Sequence, residues 1–437
     1  MTAPAPGVEV GALIDSRPLS RVQIRIMVFC GLVMLLDGYD VQVMALAVPS
    51  VSAMLHARPS DFSLALSASL IGLGLGAAFI APFGDRLGRR PVMVGALALC
   101  GLATLGTALS HGIGDFVFWR LLTGLGIGGS IANATALTSE YMPSARRTWL
   151  VCVMYCNIAL GGFFAGLLAP LVLDHSDWRG LFLLGGAGTV AAAALVWAFV
   201  PESLKFLIAR KPGHRRIAAV LASLAPGTDP ASVYVAPETA RRRRLWDLLG
   251  AEYRTRTLLL WLIYTGTAFI IFVLTSWLPT LLGKAGWPRN EALVGSVLFQ
   301  LGGVAGSLLL SLLVDRGRVR LALGLGYALC AGALAVLVLS PPTFVVWAPL
   351  MLLIGVGISG AQCVVVAIAA AFYPLAIRAT GVGWAVTVAR LGAVSAPLVG
   401  GALVQLISPV QLLALLIVPA LICAVAATRV RQAWLFN

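Results

Sequence analysis

The sequence predicts an all-α integral membrane protein, in which twelve transmembrane helices form two pseudo-symmetric bundles of six. Of the 437 residues, 59% are hydrophobic and only 11% are charged, whereas soluble domains are about 45–50% apolar and about 25% charged. The apolar residues form long runs, each near the roughly 20 residues that a helix needs to cross a bilayer. A short charged motif recurs at the equivalent place in each half of the chain.

This composition, with a mean hydropathy of +0.95, excludes a cytosolic enzyme, a disordered chain and a fibrous chain. A transmembrane β-barrel would show short alternating segments instead of long apolar runs. The predicted organisation is an N-terminal tail (1–23), a six-helix bundle (24–200), a polar central loop (201–256), a second six-helix bundle (257–428) and a C-terminal tail (429–437).

The basic residues predict the orientation in the membrane. When both termini are placed in the cytoplasm, most Lys and Arg residues fall in the tails, the inner short loops and the central loop. The outer loops then hold only Arg58, Arg179, Lys284 and Arg289. Because short loops rich in Lys and Arg stay inside, we expect a multi-pass protein of the cell inner membrane with cytoplasmic termini.

The formal net charge of +14 raises the question of a nucleic-acid partner. The densest basic run, Arg241–Arg244, lies in the central loop before the seventh apolar segment. This position is typical of a topology determinant, and binding of anionic lipid or nucleic acid is the alternative. Since Asp and Glu residues nearby dilute the patch, we expect the lipid bilayer as a partner and no nucleic acid.

The recurring motif is Gly-Asp-Arg-Leu-Gly-Arg-Arg-Pro at 84–91, after the second segment, and Val-Asp-Arg-Gly-Arg at 314–318, after the eighth. Its recurrence implies two six-helix repeats, and transporters built in this way bind substrate near the bilayer midplane. Gly88 permits a tight turn, and Asp85 can accept hydrogen bonds from a helix N-terminus. We interpret the motif as a latch that breaks and re-forms as the halves move; the alternative is a loop that only sets orientation.

At this point the chain resembles the major facilitator superfamily. The Asp-Arg-Leu-Gly-Arg-Arg string at 85–90 is similar to its signature loop, although the leading glycine of that signature is Ala81 here. The string from Arg120 to Gly129 resembles its fourth-helix motif, and Pro-Glu-Ser at 201–203 is also familiar there. The resemblance covers essentially the whole chain and implies the major facilitator fold. The predicted gating residues are Asp85, Arg86, Gly88, Arg89, Arg90, Glu140, Arg147, Asp315 and Arg316.

A narrower resemblance is to the aromatic acid:proton symporter branch. It rests on Asp-Gly-Tyr-Asp at 37–40, on Glu-Tyr at 140–141 with Arg-Arg at 146–147, and on Arg-Ala-Thr-Gly-Val-Gly-Trp at 378–384 leading to Arg390. The branch implies inward symport of protons with acids such as benzoate, hydroxybenzoates or protocatechuate, although some relatives carry non-aromatic acids such as muconate. We expect Glu140 to pair with Arg146 or Arg147, as a gate or as plain surface charge.

Two carboxylates stand out independently of any resemblance to a family. Asp37 and Asp40 lie near the middle of the first apolar segment, where an ionisable side chain is a functional-site candidate by default. Their spacing of three residues predicts one shared helix face. Two close carboxylates resist double ionisation, so we interpret the pair as the proton carrier; a permanent salt-bridged pair is the alternative.

Two arginines lie inside predicted helices as well. Arg390 lies well within the eleventh segment, where its guanidinium can hold a substrate carboxylate through two parallel hydrogen bonds. It can instead pair with Asp37 or Asp40, either between transport cycles or permanently. Arg120 lies near the outer end of the fourth segment, so it is a second candidate for substrate binding, with snorkelling to the interface as the alternative.

Polar and aromatic residues of segments one, four, seven and ten are expected to line the cavity if the superfamily arrangement holds. The candidates are Tyr39, Gln42, Asn133, Tyr264, Trp277 and Gln362. Together these features predict a monomeric symporter that imports a small organic acid with protons as coupling ion and no other cofactor or metal. The alternatives are a proton-coupled exporter and, from another class, a membrane receptor for such an acid. No enzymatic activity is expected.

Overall fold

The computed structural model describes residues 8–144, 147–210, 215–224, 228, 233–234, 248–369, 372–373 and 375–430. Within these residues, twelve helices are long and apolar enough to cross a membrane, so the predicted fold class is confirmed. They are α1 (Arg21–Met54), α2 (Pro59–Leu87), α3 (Arg89–Ala108), α4 (Ile113–Tyr141), α5 (Arg147–His175), α6 (Arg179–Phe199), α7 (Arg254–Lys284), α8 (Arg289–Asp315), α9 (Val319–Leu339), α10 (Phe344–Ala369), α11 (Leu375–Leu406) and α12 (Pro409–Thr428).

Short elements cover the side of the bundle on which α1 begins and α12 ends, which we call the terminal side. They are the helices Val10–Asp15, Leu204–Arg210 and Arg215–Leu224, and two strands, β1 (Val8–Glu9) and β2 (Val233–Tyr234), which pair in parallel. The basic run at 241–244 lies outside the described residues.

The start of α1 is fixed by its cap. Ser20 Oγ accepts a hydrogen bond from the backbone N–H of Gln23, and Gln23 Oε1 accepts one from the backbone N–H of Ser20 at 2.7 Å. This reciprocal arrangement satisfies two N–H groups that the first turn leaves unpaired. Gln23 Nε2 also donates to the carbonyl oxygen of Tyr141 at 2.7 Å, so the cap joins the start of α1 to the end of α4.

The two halves repeat one pattern of helix packing. In the first half, α1 packs on α5, α2 on α4, and α3 on both α4 and α6; in the second half, α7 packs on α11, α8 on α10, and α9 on both α10 and α12. Each pair in one half has its equivalent six helices later. The halves meet at two equivalent seams, α5 with α8 and α2 with α11, and α1 also contacts its equivalent α7.

Glycines allow these helices to approach closely, since in lipid the association of helices depends on close van der Waals packing. A Cβ atom on Gly38 of α1 would lie 1.8 Å from the carbonyl oxygen of Ile158 on α5, and one on Gly161 would lie 1.9 Å from that of Leu35. Gly124 of α4 meets the backbone of α2 in the same way, 2.0 Å from the carbonyl oxygen of Ser69.

The seam between α2 and α11 is closed away from the terminal side. Ser67 Oγ donates to the carbonyl oxygen of Val394 at 3.0 Å, and Gln405 Nε2 donates to Ser60 Oγ. Both bonds join the first half of α2 to the second half of α11. The described hydrogen bonds between these helices therefore lie on the side opposite to the terminal side.

We expect Gly38→Ala to destabilise the protein, because the added methyl group must push α1 away from α5. Overpacking of this kind costs about 1–3 kcal/mol. The matched control is Gly95→Ala in α3, where nothing lies within 4 Å of the new Cβ atom and alanine favours the helix. Thermal unfolding of the detergent-solubilised variants measures the difference. Equal melting temperatures for both variants would contradict close α1–α5 packing.

Candidate functional site

A cavity of about 270 Å³ lies between the two halves. Helices α1, α2, α4 and α5 line it from the first half, and α7, α8, α10 and α11 line it from the second. Most of its wall is apolar. The ionisable and polar lining residues are Asp37, Tyr155, Cys156, Tyr264, Thr275, Gln300, Ser307, Ser359, Gln362, Cys363 and Arg390.

Asp37 faces this cavity from the first half. Its residue is only 8% exposed, and its Oδ1 atom is buried without a hydrogen-bond partner among the described residues. Buried polar atoms are nearly always hydrogen-bonded in proteins. An unpaired carboxyl oxygen beside a cavity therefore marks a group with unused hydrogen-bonding capacity.

Arg390 faces the same cavity from the second half. It is half-buried on α11, and its guanidinium lies within electrostatic range of Tyr264, Tyr155 and Asp37. It belongs to none of the ion pairs among the described residues, so the permanent pair with Asp37 or Asp40 is not present. The cavity is thus lined by one acidic side chain, Asp37, from the first half and one basic side chain, Arg390, from the second. Both have capacity for further hydrogen bonds.

Asp40 points away from the cavity that Asp37 lines. The two carboxylates therefore do not face the same site, although their spacing predicted one shared helix face. Arg120 Nη1 and Nη2 donate to the two oxygens of Asp40 at 2.8 and 2.6 Å, and Thr104 Oγ1 donates to Asp40 Oδ1 at 3.1 Å. A step of three residues rotates a side chain by about 60° around a helix. That rotation takes Asp40 into the contact between α1, α3 and α4.

Arg120 is therefore neither a cavity residue nor a snorkelling one. It is fully buried, with 0% exposure, and both of its terminal nitrogens are hydrogen-bonded to Asp40. The described cavity lining does not include it. The substrate contact predicted for Arg120 is not supported by this geometry, because a bidentate partner inside its own half already occupies the guanidinium.

Two predicted cavity residues of α1 face other neighbours. Tyr39 donates its hydroxyl hydrogen to the carbonyl oxygen of Leu181 at 3.1 Å, so it packs between α1 and α6. Gln42 accepts a hydrogen bond from Gln300 Nε2 at 2.8 Å. Gln300 lines the cavity but Gln42 does not. Neither Tyr39 nor Gln42 is part of the described lining, because the packing of α1 turns both side chains toward other neighbours.

Asn133 and Trp277 also lie outside the described lining. Asn133 Nδ2 donates to the carbonyl oxygen of Gly129 at 2.8 Å, one turn back along α4. Trp277 is fully buried, and its Nε1 donates to the carbonyl oxygen of Pro397 at 3.1 Å, which joins α7 to α11. Of the six cavity candidates, only Tyr264 and Gln362 line the cavity.

Several lining residues were missed because only segments one, four, seven and ten were considered. Tyr155 and Cys156 of α5 and Ser307 of α8 reach the cavity at the seam where these helices pack. Tyr155 also lies 3.1 Å from Thr135 Oγ1 through its hydroxyl oxygen. The internal repeat offered a signal for them, because polar residues on the helices that pack between the two halves can line a cavity there.

The charged motif after α2 is held by ion pairs on the terminal side. Arg89 Nη2 lies 2.7 Å from Asp85 Oδ1, and Arg89 Nε lies 3.3 Å from Glu140 Oε1. Gly88 has a φ of +110°, a left-handed conformation that favours glycine. Glu140 was expected to pair with Arg146 or Arg147; Arg146 and the Arg147 side chain lie outside the described residues, and the pair found is with Arg89.

Glu202, in the Pro-Glu-Ser string after α6, completes this network. Its Oε1 accepts hydrogen bonds from the backbone N–H groups of Arg90 at 3.2 Å and Ser203 at 2.8 Å. Ser203 Oγ in turn donates to Glu140. Burial raises the pKa of the Glu202 carboxyl above its ordinary value. The network joins the α2–α3 turn to the ends of α4 and α6, all within the first half.

The remaining predicted gating residues differ in their surroundings. Arg90 places its guanidinium 4.4 Å from the centre of the Trp197 ring. Arg86 and Arg316 are exposed, and the Asp315 side chain lies outside the described residues. Gly317 has a φ of +71°, so the second copy of the motif repeats the left-handed turn of the first.

We expect Arg120→Met to destabilise the protein strongly, because it leaves the Asp40 carboxylate buried without its cation. Removal of one partner of a buried ion pair typically costs about 3–5 kcal/mol. The matched control is Arg390→Met, which breaks no ion pair, and the double variant Asp40→Leu with Arg120→Met should regain stability. Thermal unfolding in detergent measures all three. An Arg120→Met variant as stable as Arg390→Met would contradict this assignment.

Comparison with known proteins gives the family. The sequence profile of the Major Facilitator Superfamily matches residues 30–374 and 297–434. The chain is 37% identical to the 4-hydroxybenzoate transporter PcaK of Pseudomonas aeruginosa, over 98% of this chain and 97% of that protein. It is 34% identical to the gallate transporter of Pseudomonas putida, over 91% of this chain and 89% of that protein.

Solved structures share the fold. The xylose transporter XylE from E. coli, in a partially occluded inward-open conformation, superposes with a TM-score of 0.71 at 18% identity, over 93% of this chain and 97% of that one. A bacterial homologue of the human lysosomal transporter Spinster, in an inward-facing conformation, gives 0.71 at 14% identity, over 96% and 100%. The chain therefore belongs to the Major Facilitator Superfamily, as its motifs predicted.

Proposed function

We propose that this protein is a proton-coupled symporter that imports a small aromatic carboxylate by alternating access. The observation that carries the proposal is that Asp37 and Arg390 face one largely apolar cavity from opposite halves. The two side chains do not form an ion pair with each other. The substrates named for the relatives, 4-hydroxybenzoate and gallate, are aromatic acids and support the substrate class. Export of such acids and a receptor function have no comparable support.

Arg390 binds the substrate carboxylate in this proposal. A guanidinium forms two parallel hydrogen bonds to a carboxylate, and Tyr264 beside it offers a hydroxyl group and an aromatic face. Apolar residues such as Phe272 and Leu73 form the rest of the wall, where an aromatic ring can pack. The cavity volume of about 270 Å³ is just below the usual range for ligand sites, about 300–1,000 Å³, which suits a small acid.

Asp37 carries the coupling proton. An ionised carboxylate away from water is unfavourable unless it is paired, so protonation of Asp37 favours closure of the cavity around the loaded site. One proton per monoanionic acid is electroneutral and uses the pH gradient alone. Asp40 is the weaker candidate for this role, because both of its oxygens accept hydrogen bonds from Arg120; the Asp40–Arg120 pair positions α1 against α3 and α4 instead.

The two halves rock about the cavity. The hydrogen bonds at the α2–α11 seam close the side opposite to the termini. In the proposed orientation the protein lies in a bacterial inner membrane and its termini are in the cytoplasm. The network of Arg89, Glu140 and Glu202 ties α2, α3, α4 and α6 together, so that the first half moves as one body. A monomer is sufficient for this cycle, because one chain supplies both halves.

We expect the wild-type protein in proteoliposomes to take up radiolabelled 4-hydroxybenzoate when an inward proton gradient is imposed, and a protonophore should abolish the accumulation. Asp37→Asn should bind the acid but lose gradient-driven uptake, since an amide does not take up the proton. Asp177→Asn, the same change in an exposed loop, is the matched control. Uptake that survives collapse of the gradient would reject symport, and normal coupling in Asp37→Asn would reject this residue as the carrier.

Arg390→Lys tests the carboxylate contact. The charge is retained but the planar pair of donors is lost, so we expect affinity for 4-hydroxybenzoate to fall by about tenfold or more, in line with about 1.5–3 kcal/mol for a hydrogen bond to a charged group. Equilibrium binding to purified protein measures it. The control is Arg318→Lys, an exposed arginine on the terminal side. Full affinity in Arg390→Lys would argue against bidentate capture.

A further inference from the structure

A group of neutral polar side chains lies at the cavity wall between α8 and α10, where the carboxylate site proposed above does not use it. We call Gln362, Ser307 and Ser359 the amide corner; all three line the cavity. Ser307 Oγ donates to the carbonyl oxygen of Ser359 at 3.4 Å, which ties α8 to α10. The Oε1 atom of Gln362 is buried and has no hydrogen-bond partner among the described residues.

The amide corner and Arg390 lie on different helices of the second half, the corner on α8 and α10 and Arg390 on α11. Helix α8 packs on α10 and meets the first half at α5, whereas α11, which carries Arg390, meets the first half at α2. Helix α7 contacts α8, α10 and α11, and it presents the apolar residues Ala268, Ile271 and Phe272 to the same cavity. A ligand that reaches both regions is therefore polar at both ends and apolar in the middle.

The chemistry of the corner defines the group that it takes. A carboxamide both donates and accepts hydrogen bonds, and so does a phenolic hydroxyl group, so the two are complementary in either orientation of the amide. A carboxylate is a poorer match, because Gln362 and the two serines bring no positive charge. A ring without a hydroxyl group leaves the buried amide oxygen unpaired, which disfavours binding.

We propose that the amide corner recognises a hydroxyl group on the ring of the aromatic acid, and that Gln362 is a specificity-determining residue. This inference rests on the proposed function, in which Arg390 holds the carboxylate at the other end. It adds that the preferred substrates are hydroxylated benzoates, with benzoate itself bound more weakly because it satisfies only the charged end of the cavity.

The test is equilibrium binding of 4-hydroxybenzoate and of benzoate to the purified full-length protein, with each variant first checked for a monodisperse elution profile. We expect Gln362→Met to weaken 4-hydroxybenzoate binding by about three- to tenfold, the effect of one neutral hydrogen bond, while benzoate binding changes by less than about twofold. Ser307→Ala, which removes a neighbouring hydroxyl group with little change in volume, should shift the ratio of the two affinities in the same direction.

Gln411→Met is the matched control, because it makes the same chemical change at an exposed position at the start of α12, outside the described lining, and should leave the ratio unchanged. Equal losses for both ligands in Gln362→Met would overturn the inference, since a purely structural role affects both. Unchanged affinities for both ligands in Gln362→Met would also overturn it and leave the proposed function standing. If the wild-type protein bound neither acid, the proposed function would fail and this inference with it.

Discussion

A charged side chain inside a bilayer must be paired within the protein or face a water-filled space, and this constraint governs the arrangement of α1. Asp40 is held by both terminal nitrogens of Arg120, whereas Asp37, three residues earlier, is left facing the cavity. Because both acids belong to one helix, the rotation of α1 decides which of them is bound and which is accessible. Gly38, packed on the backbone of Ile158, fixes that rotation.

The cavity follows from the symmetry of the packing. Each half pairs its helices in the same way, so the faces that remain are equivalent and meet at two equivalent seams. At the α5–α8 seam the helices pack closely: Cβ atoms on Gly162 and Gly166 would lie 2.3 Å from Gln300 Nε2 and 2.5 Å from Val297 Cγ2. At the α2–α11 seam the described hydrogen bonds lie only on the side away from the termini. The cavity, with Arg390 on its wall, lies between the two halves.

The charged network on the terminal side belongs to one half. Arg89 pairs with Asp85 and Glu140, and Glu202 holds the backbone on the far side of Gly88. The sequence motif suggested a latch between halves, but these contacts join the α2–α3 turn to α4 and to the chain after α6. The proposed rocking of the halves requires each to be stiff, and a hydrogen-bonded network that joins several helices of one half contributes to such stiffness. The proposed transport cycle depends on this network as much as on the cavity.

The sequence determined the number of spans, because lipid exposure makes hydropathy a local property of each segment. It also identified Asp37, Asp40, Arg120 and Arg390, since a charge inside an apolar run is conspicuous without any knowledge of its neighbours. Only the tertiary structure decided their partners. A step of three residues rotates a helix face by about 60°, and the sequence does not record which face meets which neighbour.

For the same reason Tyr39 and Trp277 looked like cavity residues and are buried between helices, whereas Tyr155 and Ser307 went unnoticed and line the cavity. The helix to which each residue belongs could be predicted from the hydropathy of its own segment. The direction in which it points depends on contacts made by residues more than a hundred positions away, such as the hydrogen bond from Tyr39 to Leu181. That long-range packing is what the amino-acid sequence of one chain, taken segment by segment, does not express.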